Sequence, residues 1–221
     1  MDLMRFVDSI EELFYEVIVW LVFYPLTLWL TLRYPQRMMD YADTELGDVQ
    51  SEQYNDTLSP PLFLLLSLII SYGLTLPVQV EIAANLQTKV FGSIENLLIF
   101  RAISFSLLPL FMSLQLLRKL GLKLDREELR PPFYSQCYVT APFILVFGPG
   151  LAGLYFFEGQ ALSVCAALMV ATLFWYLRQQ AYWFATKLEF GLWRGWRYAI
   201  VTCFISLITM ILLALLASSV A

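Results

Sequence analysis

Three long stretches without a single charged side chain set the frame of this sequence. Asp56 and Glu81 bracket 24 uncharged residues, Arg130 and Glu158 bracket 27, and the last 24 residues after Arg197 carry none. The hydrocarbon of a bilayer needs about 20 apolar residues per helix, so each stretch is long enough to cross it. In lipid a crossing segment must be helical, because a helix satisfies its own backbone polar groups. Five spans follow, at about 60–80, 97–117, 132–157, 161–180 and 199–220. The second includes Arg101.

The N-terminal segment has a different pattern. Leu3, Phe6, Val7, Ile10, Leu13, Phe14, Val17, Ile18 and Leu21 recur at helical spacing, with Arg5, Asp8, Ser9, Glu12 and Glu16 opposite. That pattern predicts an amphipathic helix in the membrane interface. From Val17 to Leu32 the segment is apolar all round, with Pro25 in its centre. The preferred reading is an in-plane or shallowly re-entrant helix pair interrupted at Pro25. The alternative is a sixth span with the N-terminus outside. The acidic start, MDLMRFVDSIEELF, lacks the basic region and cleavage site of a secretory signal and is read as part of the mature chain.

Composition agrees with this threading. The 221 residues are 59% hydrophobic and 14% charged, against about 25% charged in a soluble domain. The fold class is therefore all-α, a polytopic helical membrane protein with five transmembrane helices plus the N-terminal amphipathic or re-entrant pair. Residues 1–38 form a membrane-surface arm, 39–59 an acidic linker and 60–221 the transmembrane domain. The net charge of −4 hides an asymmetry. Arg5, Arg33 and Arg37, then Arg118, Lys119, Lys123, Arg126 and Arg130, then Lys187, Arg194 and Arg197 all fall on one side of a five-span topology. The opposite loops hold only Lys89. The positive-inside bias makes the basic side cytoplasmic, with the C-terminus outside. If the source is bacterial, the membrane is the cytoplasmic one. No basic surface for nucleic acid emerges. Cys137, Cys165 and Cys203 are dispersed in apolar stretches and read as packing residues.

Candidate chemistry is sparse. The chain has no histidine, which removes the commonest general base and metal ligand. No phosphate loop, dinucleotide fingerprint, nucleophile elbow or zinc spacing appears, so no catalytic, metal or cofactor residues are assigned. The candidates that remain are intramembrane polar groups and helix breakers. Arg101 either snorkels, pairs with Glu81 or Glu95, or offers an anion or headgroup site. Pro109, Pro142 and Gly148-Pro149-Gly150 interrupt spans two and three, for packing or for a discontinuous substrate site. Gln136 adds an uncharged polar group to span three. Asp40, Asp43, Glu45, Asp48, Glu52 and Asp56 make the linker acidic, as a solvated segment or as a strip that docks on the basic loop 118–130 or on a partner.

One segment is both aromatic and charged, from Phe174 to Tyr198. Its expected role is the cytoplasmic exit of span four. Tyr182, Trp183, Phe184, Phe190, Trp193 and Trp196 would sit at headgroup depth, and Lys187, Arg194 and Arg197 would face the anionic leaflet. Only Arg178, Gln179 and Gln180 are candidates for pointing inward.

A cytoplasmic arm, five spans, a basic second connection and a Pro-bearing third span reading FYSQCYVTAPFIL resemble the YIP family of five-span, Rab-interacting-protein-like membrane proteins. So does WYLRQQAYWFATKL at the end of span four. The resemblance covers about residues 60–220 and implies a five-span fold. It implies either a partner-binding role or, by its bacterial branch, a permease-like label, and it carries no catalytic residues. Two functions follow. One is a non-enzymatic protein that organises lipids or partners through the arm and the loop 118–130. The other is a permease or channel for a small solute or ion, acting as a homo-oligomer.

Overall fold

A computed structural model describes residues 2–47, 49, 53–78 and 94–219. Glu81, Lys89, Asp48 and Glu52 lie outside the described residues, as do the side chains of residues 1–9. The secondary structure of the described residues is helical, with short turns between helices and no strand among them. Its helices are α1 (Asp2–Arg33), α2 (Pro35–Glu45), α3 (Pro60–Leu74), α4 (Ile94–Leu120), α5 (Arg126–Phe156), α6 (Gly159–Lys187) and α7 (Leu192–Ser219).

Five of them are long and apolar enough to cross a bilayer, namely α4, α5, α6, α7 and residues 10–33 of α1. Their outward faces carry large apolar side chains. Leu21 on α1, Phe174 on α6 and Phe204, Leu215 and Leu216 on α7 are all more than half exposed. Contiguous apolar surface on this scale is stable only against lipid, so this is an integral membrane protein.

Two expectations about the first hundred residues are corrected. The helix pair expected to break at Pro25 is one continuous helix, α1. A proline removes one helical donor and is tolerated where neighbours hold the helix. Here Thr27 Oγ1 donates to Phe23 O (2.7 Å), the Leu58 N–H donates to Thr27 Oγ1 (3.0 Å), and Tyr24 OH lies 3.0 Å from Ser67 Oγ. These contacts set α1 antiparallel to α3, the arrangement of the sixth-span alternative. The first expected span, 60–80, contains a helix of 15 residues, α3, or about 22 Å of rise. It turns at Thr75 before Pro77.

The centre of the bundle is α5, which packs against α1, α2, α3, α4 and α6. Its N-terminus is fixed by Asp125, whose side chain accepts from the Glu128 N–H at 2.9 Å, a standard cap. From Ser135 to Ile144 every residue of α5 is buried. Pro142 lies in this run and leaves the helix unbroken. Small residues permit close approach, as the pattern Gly148, Gly150, Ala152, Gly153 predicts: a Cβ at Gly150 or Gly153 would meet Met169 or Cys165 of α6. At the other end of α6, a Cβ at Gly195 would strike the Ala181 carbonyl, so α7 can begin tight against α6 only with glycine there.

Candidate functional site

Two polar constructions stand out inside this apolar bundle. The first is a seam at the end bearing the α4–α5 connection, called the basic end below. α2 lies across it with Met38, Met39 and Ala42 buried in the same core as α3, α5 and α6. The boundary drawn at residue 38 between arm and linker therefore runs through the middle of a docked helix. Asp40 and Asp43, one turn apart, both reach Lys187 at the end of α6, at 3.4 and 2.7 Å. Ser135 Oγ on α5 lies 2.7 Å from the Met39 carbonyl and 2.8 Å from Asp43 Oδ1, two acceptors for its one proton. Gln36 Nε2 donates to the carbonyl and to Oε1 of Gln179, at 3.0 and 3.1 Å. Deeper in, Gln180 Nε2 donates to Gln136 Oε1 at 2.6 Å, with both amides fully buried between α5 and α6.

This arrangement overturns part of the expected membrane exit. The helix itself continues two turns past the expected span end, to Lys187. Trp183 and Phe184 are core residues rather than headgroup anchors. Lys187 faces carboxylates of its own chain instead of the leaflet. The described part of the acidic segment docks on α5 and α6, with Asp40 and Asp43 reaching Lys187 and Ser135 rather than the basic side chains of loop 118–130. Tyr182 and Trp193 do keep exposed rings, Trp193 at 87%. Of the three residues singled out as candidates for facing inward, Gln179 and Gln180 are buried. Arg178 is exposed, with its guanidinium over the Tyr182 ring.

Hydroxyls complete the seam. Tyr138 OH donates to Leu58 O at 2.9 Å and lies 3.2 Å from Thr57 Oγ1, tying the α2–α3 connection to α5. Tyr54 OH donates to Ala42 O at 3.2 Å. Burial is the main cause that pushes Tyr41 up to about 12 and raises Tyr54 as well. Both therefore stay protonated across the physiological range.

The second construction lies toward the opposite end. Arg101 of α4 donates from Nη1 to Thr75 Oγ1 (2.8 Å) and from Nη2 to Ser71 Oγ (2.7 Å), and Ser71 donates on to the Ile144 carbonyl (3.1 Å). The guanidinium thus sits at the C-terminal end of α3, where the helix dipole favours a cation. Its other face approaches the Phe105 ring. Pairing with Glu95 is not formed: among the described residues, the only ion pairs are those of Lys187. Gly148 makes this position available, because a Cβ there would collide with Nη2 and with Ser71 Oγ. Beside Arg101 opens a cleft of about 640 Å³ whose walls include Ser104, Leu151, Leu207 and Ile211.

The remaining candidates are packed within the helices. Pro109 is buried in α4, where its carbonyl accepts from Ser113 Oγ at 2.6 Å. Pro149 is half-buried and leaves α5 unbroken. Ser135, Gln36, Ser71 and Thr75 are participants that sequence reasoning missed, and Asp43 was read only as one member of the acidic strip. The traces they left were the Asp40/Asp43 and Ser71/Thr75 spacings, each a same-face pair on a helix. Among the described residues no group of His, Cys, Asp or Glu is arranged to hold a metal ion. Compared with known proteins, the chain matches no family model, no curated protein and no solved structure.

Proposed function

We propose that this chain is a non-enzymatic membrane-organising protein that holds lipid against its bundle, with the basic end in the cytoplasm. One observation carries the reading. The Arg101 guanidinium, held by two hydroxyls and by no carboxylate among the described residues, stands in the wall of an apolar cleft. A fixed cation over an apolar slot suits an anionic amphiphile, with its phosphate or carboxylate at the guanidinium and its chain along Leu151, Leu207 and Ile211. The positive-inside bias supports the orientation. The docked α2 supplies a surface at the basic end for a protein partner. Kinship with the YIP family is proposed on layout alone.

A permease is the weaker reading. Pro109 and Pro142 are packed into the bundle, Gly148 accommodates Arg101, and the seam glutamines bond to one another instead of lining a passage. The test compares wild type with Arg101→Gln, each purified in mild detergent and weighed intact with its bound lipid. The substitution is expected to lower retention of anionic lipid about tenfold, the scale of one charge-assisted contact. Equal retention by the two proteins overturns the lipid reading. Solute flux in liposomes that Arg101→Gln abolishes would establish the permease instead.

A further inference from the structure

The surface between α3 and α4 carries a second opening. Both helices pack along α5 but barely against each other, so the side chains of α5 floor a slot between them. Its inner part, about 490 Å³, is walled by Leu64 and Leu68 of α3 and Leu107 of α4, over Phe133 and Cys137 of α5. An outer part of about 710 Å³ continues it toward the basic end. The two share Ser106, Leu110 and Phe133, so they form one groove. At its mouth stand Arg126 and Arg130, with the Arg130 guanidinium over the ring of Tyr134, another wall residue.

The charges at this mouth are sorted by helix geometry. At 100° per residue, Arg126, Leu129, Arg130, Phe133, Tyr134 and Cys137 share one face of α5. Glu128 falls about 200° from Arg126, on the far side, and Glu127 falls about 100° away, at the edge of this face and not among the wall residues. Asp125 is engaged as the helix cap. The groove therefore presents two guanidiniums and no carboxylate among its wall residues. Its length follows from the register. Arg126 to Cys137 is about 16 Å of helical rise, close to half of a hydrocarbon core about 30 Å thick. Leu65 and Ile103, at its rim, are exposed on the lipid-facing side.

From these features we infer that the groove holds one phospholipid of net negative charge from the basic-side leaflet, its phosphate on Arg126 and Arg130 with no headgroup cation to compete, and one acyl chain between α3 and α4. Two guanidiniums give a planar, multiply hydrogen-bonding match to a phosphate. The apolar slot beneath is one leaflet deep and bordered by lipid. The inference shares the lipid-holding premise of the proposed function but uses none of the residues at Arg101, so the two stand or fall separately.

The experiment uses the full chain, stripped of lipid in detergent and titrated with phosphatidylglycerol or phosphatidylcholine, with bound lipids counted by native mass spectrometry. Wild type is expected to bind phosphatidylglycerol selectively. Arg126→Gln with Arg130→Gln should weaken that binding about thirtyfold, the combined effect of two surface cations. Arg126→Lys with Arg130→Lys should keep most of it. Ser106→Trp, which fills the waist of the groove without touching a charge, should also lose the bound lipid, and Arg101→Gln should leave this site occupied. Equal binding of both lipids, as expected of a non-selective annular shell, overturns the inference. So does displacement of the selectivity by inorganic phosphate alone, or selectivity that follows Arg101 and ignores Arg126 and Arg130. If the double glutamine variant does not elute as a folded species, the lysine and tryptophan variants decide by the same criterion.

Discussion

The two ends of this bundle handle partly buried cations in different ways. At the basic end Lys187 is met by Asp43 and Asp40, while Gln36 bonds to Gln179 and Gln180 to Gln136. Toward the other end Arg101 is met by two neutral hydroxyls and by the end of a short helix. An ion pair cancels charge, whereas hydroxyls and a helix dipole stabilise a cation without cancelling it. The basic end therefore acts as a latch that joins α2, α5 and α6. Arg101 keeps a positive potential beside its apolar cleft.

The comparison breaks most visibly at the latch. Asp43→Lys places two ammonium groups together and leaves Ser135 without its carboxylate. It should cost about 2 kcal/mol, less than a fully buried pair because both partners are partly exposed. Faster amide hydrogen exchange across α2 would show this, and adding Lys187→Asp should restore most of the protection. If exchange is unchanged, α2 is held by its apolar face alone.

Deeper in the seam, Gln180→Leu leaves Gln136 buried without its donor and should cost about 1–2 kcal/mol. Replacing both glutamines by leucine should cost less than the single change, since no polar group is then stranded. Thermal unfolding in detergent of the three variants measures the difference. A double variant worse than either single one would mean that the amides serve something beyond each other.

Gly148→Ala tests the opposite end, where the new methyl expels the guanidinium from Ser71. A loss of about 1 kcal/mol is expected, together with the lipid-retention defect of Arg101→Gln. The smallest effect belongs to Arg178→Gln. This side chain is exposed and lies over the Tyr182 ring, so stability should move by less than about 0.5 kcal/mol. A larger loss would place Arg178 with its two glutamine neighbours as part of the seam.

The aromatic segment Phe174–Tyr198 shows where reading from sequence reached its limit. Its polarity was legible as a membrane exit, because charge and aromatic rings concentrate where apolar runs end. The orientation of each ring was not. Trp183 and Tyr182 are adjacent in sequence, yet Trp183 is buried and Tyr182 is exposed. Helical position explains that split only once the location of α2 and α5 is known. Arg101 was likewise legible as an intramembrane charge, while its hydroxyl partners on α3 depended on how two non-adjacent helices cross. The break assigned to Pro25 failed for a related reason. Propensity describes an isolated helix, and α1 is supported at Tyr24 and Thr27 by α3 and the segment before it.

By itself, the sequence determined that this chain is helical, lies in a membrane and gathers most of its basic residues in the connections 118–130 and 187–197, although Arg5, expected on the same side as Arg33, stands at the opposite end of the continuous α1. Those properties follow from the cost of exposing backbone and charge to hydrocarbon, which is paid residue by residue and so is written in the local pattern. Tertiary structure alone decided that Asp43 meets Lys187, that Gln180 meets Gln136, that Gly148 makes room for Arg101, and that α3 and α4 part above α5. Each depends on side chains brought together from distant positions, where packing selects one partner among many of equal local chemistry.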